Sequence, residues 1–217
     1  MINFGKNYAV LNLDLMTVLI DAVRETAEGQ AFISNNSRWV DAIHSTAQRP
    51  INIFTSLFFE QGYLELAKSA PFTRLIEEFG SFAAGSPGVC IASDFNIDER
   101  DILLQKTRWY AGSGNALEQI LKAQNIDTVV IVRDYPKLHC TANQGIQSGL
   151  SLSGVVMSTV YRLLELDYNI YVISDNILEL PTNQTGEVSR VMLDILFPKL
   201  NARVISIDEA LEALSQI

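Results

Sequence analysis

Tyr8-Ala9-Val10-Leu11-Asn12-Leu13-Asp14 is a β-rich, mostly apolar run that stops on a carboxylate. A short run of this kind reads as a buried strand, and the charge at its end belongs at an edge of the sheet rather than inside it. The same texture returns at 51–58, 101–105, 128–132, 169–175 and 203–206. Between these runs the apolar residues take helical spacing, which predicts helices over 36–48, 71–82, 115–124, 153–167, 187–200 and 208–215. Leu117, Ile120 and Leu121 fall at i, i+3 and i+4, and Asp208 is the expected N-cap of the last helix. Strands alternating with helices from end to end predict a doubly wound α/β fold with a parallel sheet. With no internal repeat, low-complexity tract or linker, one domain over 1–217 is expected.

Composition narrows the function classes. Of 217 residues 48% are hydrophobic and 19% charged, which excludes a disordered, collagenous or disulfide-scaffold chain. The net charge of −9, with Lys and Arg scattered singly, argues against nucleic acid or an anionic membrane as partner. The longest apolar stretches are strand-length, well short of the roughly 20 residues of a bilayer span. The start, residues 1–6, carries no basic or signal-type apolar block, so a cytoplasmic protein is expected. Cys90 and Cys140, with His44 and His139, are too few for a zinc ligand set, and a disulfide between them is not expected. No strand is followed by a Gly-rich phosphate loop, so neither metal nor cofactor is expected.

Chemistry-bearing residues gather at the expected carboxyl edge, where ligands bind in parallel α/β sheets. Asp14 ends the first strand and Lys106 follows the run Ile102-Leu103-Leu104-Gln105, making a candidate ion pair that is either functional or a structural salt bridge. Arg108, Trp109 and Tyr110 would line a pocket with one cation and two aromatic faces, or sit as a surface Arg beside half-buried rings. Gly149-Leu150-Ser151-Leu152-Ser153-Gly154-Val155-Val156 is a small-residue turn opening a helix. Its N–H groups suit an oxyanion, and its small side chains equally suit close helix–sheet packing. Cys140, beside His139, lies in a stretch over 133–148 that is too long for an ordinary strand-to-helix loop. Cys90 reads as a small buried hydrophobe, and 80–87 as a Gly/Ser/Ala-rich turn.

Taken together, these segments resemble the isochorismatase-like hydrolases, the cysteine hydrolase family, over nearly the whole chain. Val10-Leu11-Asn12-Leu13-Asp14 is similar to the family's first strand and catalytic Asp. Asp101-Ile102-Leu103-Leu104-Gln105-Lys106-Thr107-Arg108-Trp109-Tyr110, with Leu117-Glu118-Gln119-Ile120-Leu121 after it, resembles the block around the catalytic Lys. Ile126-Asp127-Thr128-Val129-Val130-Ile131-Val132 is similar to the next strand, and Gly149 through Thr159 with Asp175 to the nucleophile helix and the strand beyond. The resemblance implies a Rossmann-like, three-layer αβα sandwich around a parallel sheet, a small-molecule substrate and a homo-oligomer. In the thiol-using members, Asp and Lys activate a Cys at the helix start, which attacks an amide carbonyl while backbone N–H groups hold the oxyanion.

Three departures accompany the match. Laying Gly149 to Val155 on the family's turn puts Val155, after Gly154, where the nucleophilic Cys belongs. Met16 stands where many members have Gln, and 133–148 is an insertion. True isochorismatases carry Gly at the Cys position and cleave a vinyl ether, the Asp protonating the alkene before water adds. They match this chain at Asp14 and Lys106 and, in siderophore-pathway members, at Arg108. The preferred expectation is therefore a hydrolase of a small anionic or amide-type metabolite. In it Asp14 is acid/base, Lys106 stabilises charge, the Ser153–Val155 turn donates N–H groups, and Arg108 and Trp109 bind substrate. The alternatives are a thiol hydrolase using a displaced Cys140 and a retired family member acting as a binding module.

Overall fold

The computed structural model describes residues 2–77, 80–133, 152–177 and 185–216. Cys140, His139 and nearly all of the 133–148 stretch lie outside them. Six strands, β1 (Tyr8–Leu13), β2 (Ile51–Leu57), β3 (Ile102–Lys106), β4 (Thr128–Arg133), β5 (Asn169–Ile173) and β6 (Arg203–Ile205), form one sheet in the order β3-β2-β1-β4-β5-β6. Every neighbouring pair is parallel. The chain winds outward from β1 to one edge, returns to the centre at β4, and winds to the other edge. Both predicted features, the parallel sheet and its double winding, are present, and strand ends move from their expected places by one or two residues.

Each face of the sheet has its own core because side chains alternate along a strand. Ala9, Leu11, Leu13, Ile53, Val129, Ile131 and Val172 are buried on one face against α4 (Leu117–Ala123), α5 (Met157–Leu164) and the helical run ending in α7 (Phe197–Lys199). Tyr8, Val10, Val130, Val132 and Tyr171 are buried on the other against α2 (Ala27–Ser45) and α8 (Ile207–Ser215). Each such Leu or Val contributes roughly 1.5–3 kcal/mol over leaving it exposed, so the two-sided apolar strands fix the three layers. Among the described residues no helix is long and apolar enough to cross a membrane.

Several expected boundaries are corrected by capping and by tertiary partners. The helix expected over 36–48 begins at Ala27, where the Thr26 side chain accepts the Gly29 N–H. Within it the buried Asn36 donates to Phe32 O (3.0 Å) and accepts from Asn176 Nδ2 (3.3 Å). The short α1 (Thr17–Asp21) was not expected. α3 (Pro71–Glu77) is shorter than 71–82, because the Phe82 backbone is drawn out to pair with Phe59 N and the Tyr63 hydroxyl. The helix over 187–200 is a composite, α6 (Thr185–Ser189) passing through a π-helical run Arg190–Leu196 into α7. Ser206, not Asp208, caps α8: its hydroxyl accepts the Glu209 N–H and Glu209 accepts the Ser206 N–H, a capping box. Cys90 is exposed rather than buried. Its neighbour Val89 fills the core while the Cys90 carbonyl receives the Thr17 N–H and hydroxyl.

Polar residues within β1 and β2 are accommodated by one another. Asn12 donates to Asn52 Oδ1 (2.6 Å) and Asn52 donates to Asp101 Oδ1 (2.7 Å). Asp101 also meets His44 Nε2 (3.0 Å) and shares the Arg49 guanidinium with Asp98. His44, Asp98 and Asp101 bring ligand atoms within 4.8 Å of one another, but the Arg49 guanidinium is the cation bridging the two carboxylates.

Hydrogen bonds from Arg49 lower the Asp98 carboxyl to about 2. Arg24 lowers that of Asp94, and Arg162, with help from Tyr110, lowers that of Glu118. A carboxyl depressed in the folded state contributes stability above its unfolded pKa of roughly 4, and that contribution is lost as pH falls through the folded value. Urea unfolding is expected to show stability falling progressively from about pH 4 toward pH 2. Arg49→Met should flatten that fall, and an unchanged profile in the variant would remove Arg49 as its cause.

Candidate active site

The pair read from the sequence is formed. Asp14 Oδ2 lies 2.7 Å from Lys106 Nζ, with both side chains 0% exposed. β1 and β3 are not neighbours; β2 runs between them. Strands in a sheet are about 4.8 Å apart, so the two strand ends stand roughly 10 Å apart, a gap that the long Lys stem spans and a shorter cationic side chain would not.

Backbone geometry brings the carboxylate to the correct face. By strict alternation Asp14 would share the α2 face with Val10, whereas Lys106 follows Ile102 and Leu104, which pack on the α4–α5 face. Asp14 has φ 59°, in the left-handed region. Relative to the parallel-strand φ of about −120°, this turns its side chain roughly half a revolution about the N–Cα bond. A non-glycine residue pays about 1–2 kcal/mol in that region, Asp and Asn least. The turn is held by Asp14 N–H donating to Thr55 O (3.1 Å) and Met16 N–H donating to Asp14 O (2.7 Å). The Thr55 hydroxyl donates to Asp14 Oδ1 (2.8 Å), which leaves Oδ2 toward the ammonium. Besides that ammonium, no described group donates a hydrogen bond to Oδ2.

Lys106 Nζ also donates to the carbonyls of Arg108 and Trp109, both at 3.3 Å. The main chain of this segment therefore serves the pair, while its side chains are engaged elsewhere. The Arg108 guanidinium donates to Thr107 O (2.5 Å) and Glu65 O (2.9 Å) and lies 5.2 Å from the Phe72 ring centre. Trp109 packs edge-on against the same ring, centroids 4.9 Å apart. The Tyr110 hydroxyl donates to Glu118 (2.9 Å). Burial and that carboxylate push the Tyr110 phenol well above its ordinary value.

Leu152–Val156 forms a π-helical turn that runs directly into α5. Val155 is fully buried in the same core as Leu11 and Leu13, and Gly154 is half-buried. Thr159 lies one turn further along, and its hydroxyl accepts the Ala111 N–H (3.2 Å), tying this helix to the loop beyond Lys106. Thr55 is a contributor that had not been singled out in the sequence, and Met16, noted there as a departure from Gln, accepts the Leu57 N–H through its sulfur (3.2 Å). A hydroxyl interrupting the apolar run 51–58 was the available signal for Thr55.

A parallel, doubly wound α/β protein with a buried carboxylate–ammonium pair at its carboxyl edge is the class thus defined. The family model for the isochorismatase domain matches residues 8–132, from β1 through β4. The chain belongs to the isochorismatase family. Its fold is similar to an isochorismatase family protein from Burkholderia thailandensis (18% identity, 98% of each chain covered, TM-score 0.73). It is also similar to a cysteine hydrolase from Pseudomonas syringae pv. phaseolicola 1448A (12% identity, 97% of this chain and 93% of that one, TM-score 0.78). A third similar structure is N-carbamoylsarcosine amidase from Thermoplasma acidophilum (17% identity, 93% and 97% covered, TM-score 0.66). No curated protein matches the chain in sequence at a significant level.

Removing one member of a buried ion pair leaves the other uncompensated, so Lys106→Met is expected to cost about 3–5 kcal/mol in chemical unfolding. Asp14→Asn/Lys106→Met should recover most of that loss, because Asn tolerates the left-handed backbone and leaves no buried charge. A double variant as unstable as Lys106→Met would show that the cost is packing rather than charge.

Proposed function

We propose that this protein is a hydrolase of a small anionic or amide-type metabolite that works without a thiol on its helix turn. Asp14 acts as acid/base, Lys106 stabilises charge that develops on the substrate, and N–H groups of the Ser153–Val155 turn act as oxyanion donors. The observation that carries this reading is Asp14 Oδ2, aimed at Lys106 by the left-handed backbone and the Thr55 hydroxyl and given no other donor among the described residues. On the sequence resemblance Val155 falls where thiol-using members carry their nucleophile, and a buried isopropyl group can neither attack a carbonyl nor be activated. A vinyl ether fits such a site: Asp14 in its protonated form gives its proton to the alkene carbon, leaving an oxocarbenium; water adds and returns a proton to the Asp14 carboxylate, and the hemiketal collapses to a ketone and an alcohol. Arg108 and Trp109 are proposed to flank the substrate, Trp109 through its ring and Arg108 as the cation nearest the pair in sequence. The neighbours described as a cysteine hydrolase and as an amidase keep amide hydrolysis within the same proposal.

A second reading, a retired member that serves as a binding module, is favoured by the complete burial of both Asp14 and Lys106. A displaced thiol at Cys140 is the third. A screen of vinyl ethers and small amides, followed by steady-state kinetics, separates them. Lys106→Met should lower kcat by about 100-fold or more, as for loss of a charge-stabilising group, while Cys140→Ala leaves kcat unchanged. Loss of turnover in Cys140→Ala would overturn the thiol-free mechanism. Turnover unaffected by Lys106→Met, or no turnover of either substrate class, would favour the binding module.

A further inference from the structure

The opposite edge of the sheet carries a feature that the Asp14–Lys106 chemistry does not use. A cleft of about 920 Å³ opens where β4, β5 and β6 begin, with Asn3, Thr128, Asn169, Tyr171, Asn201 and Arg203 in its wall. Because all six strands run parallel, this amino edge is a full strand length from the pair.

Arg203 distinguishes the cleft from an ordinary surface depression. Its Nη1 donates to the Tyr171 hydroxyl (2.6 Å), its guanidinium carbon lies 5.3 Å from the Tyr171 ring centre, and that hydroxyl donates onward to Asn3 O (3.1 Å). The Tyr171 ring is itself fixed edge-on against Phe4, centroids 5.0 Å apart. The cation is thus oriented by a phenol and a ring, and no carboxylate among the described residues pairs with it. A guanidinium offers five N–H donors in a planar fork, and this one spends a single donor on Tyr171. Arg203 is exposed, and what sets it apart is its fixed orientation by Tyr171, which leaves the rest of the fork for an outside acceptor of carboxylate or phosphate geometry.

We infer that this cleft is a second binding site, one that takes a small oxyanion-bearing metabolite with a hydroxyl- or amide-bearing body. Arg203 clamps the carboxylate or phosphate, and the side-chain amides of Asn3, Asn169 and Asn201 line the remainder. Asp127 limits the charge that is welcome. It precedes Thr128 and accepts its hydroxyl (2.7 Å), which places a carboxylate beside the wall, and the chain as a whole is at −9. A monoanion is therefore favoured over a polyanion. The inference is independent of the chemistry proposed at the carboxyl edge.

Protein-observed NMR on the full chain tests it, with gluconate as a hydroxylated monoanion, inorganic phosphate as the alternative oxyanion, acetate as a bare carboxylate, and glucose as the neutral body. Gluconate or phosphate is expected to saturate shifts at Thr128, Asn169, Asn201 and the Arg203 Nε–H, with glucose giving none and acetate binding more weakly than gluconate. Saturation by gluconate identifies a carboxylate site, and saturation by phosphate alone a phosphate site. Arg203→Gln should weaken the effective probe by about tenfold or more, the loss of a bidentate charged contact. Tyr171→Phe should weaken it less, since the ring remains while the orienting hydroxyl is gone. Failure of both anions to saturate, equal affinity in Arg203→Gln, or shifts confined to the carboxyl edge would each overturn the site.

Discussion

A carboxylate and an ammonium buried together across an intervening strand set the terms for this molecule's carboxyl edge. Taking two charges out of water costs several kcal/mol for each ion, and the pair persists only if every remaining proton and lone pair is well placed. Lys106 meets the condition with Asp14 and the carbonyls of Arg108 and Trp109. Asp14 meets it on one oxygen with the Thr55 hydroxyl, from the strand that the Lys stem crosses. The loop beyond β3 is consequently bent to turn two carbonyls inward, and the side chains it displaces outward are collected by Phe72. Oδ2 takes the Lys106 ammonium and, among the described residues, no second donor.

The rest of the sheet shows how polar groups are tolerated in strands that are buried on both faces. Asn12 and Asn52 bond each other and then Asp101, so polarity entering β1 and β2 is passed sideways to Arg49 and His44 at the rim. The same economy operates under α2, where Asn36 and Asn176 bridge the helix to the end of β5, and at α8, whose Ile207 N–H donates to Asp175 (2.7 Å). Helices on the two faces are thus registered to the strand ends by hydrogen bonds, while apolar burial supplies the adhesion.

Much of this was legible because strand and helix periods are local properties. The run 8–14 and its repeats announced the sheet, and a charge at the end of each of two apolar runs announced the pair. Helix ends were less legible: Ser206 and Asp208 are both good caps, and only the reach of Glu209 back to Ser206 selects between them. Cys90 and Val89 are neighbours of similar size, so which one enters the core depends on the turn between them and on the acceptor that Thr17 requires. The groups that hold the Arg108 guanidinium, Glu65 O and the Phe72 face, are distant in sequence and invisible to any local pattern.

By itself the sequence determined the fold class, the strand ends that bear Asp14 and Lys106, and the Val at 155, because each follows from local periodicity or from residue identity. Tertiary structure alone decided that strand alternation is broken at Asp14. A pleat would have sent its carboxylate to the α2 face and Lys106 to the other, and the left-handed turn stabilised by Thr55 brings them to one side. That decision rests on hydrogen bonds between residues some forty positions apart in sequence, which no stretch of neighbouring residues encodes.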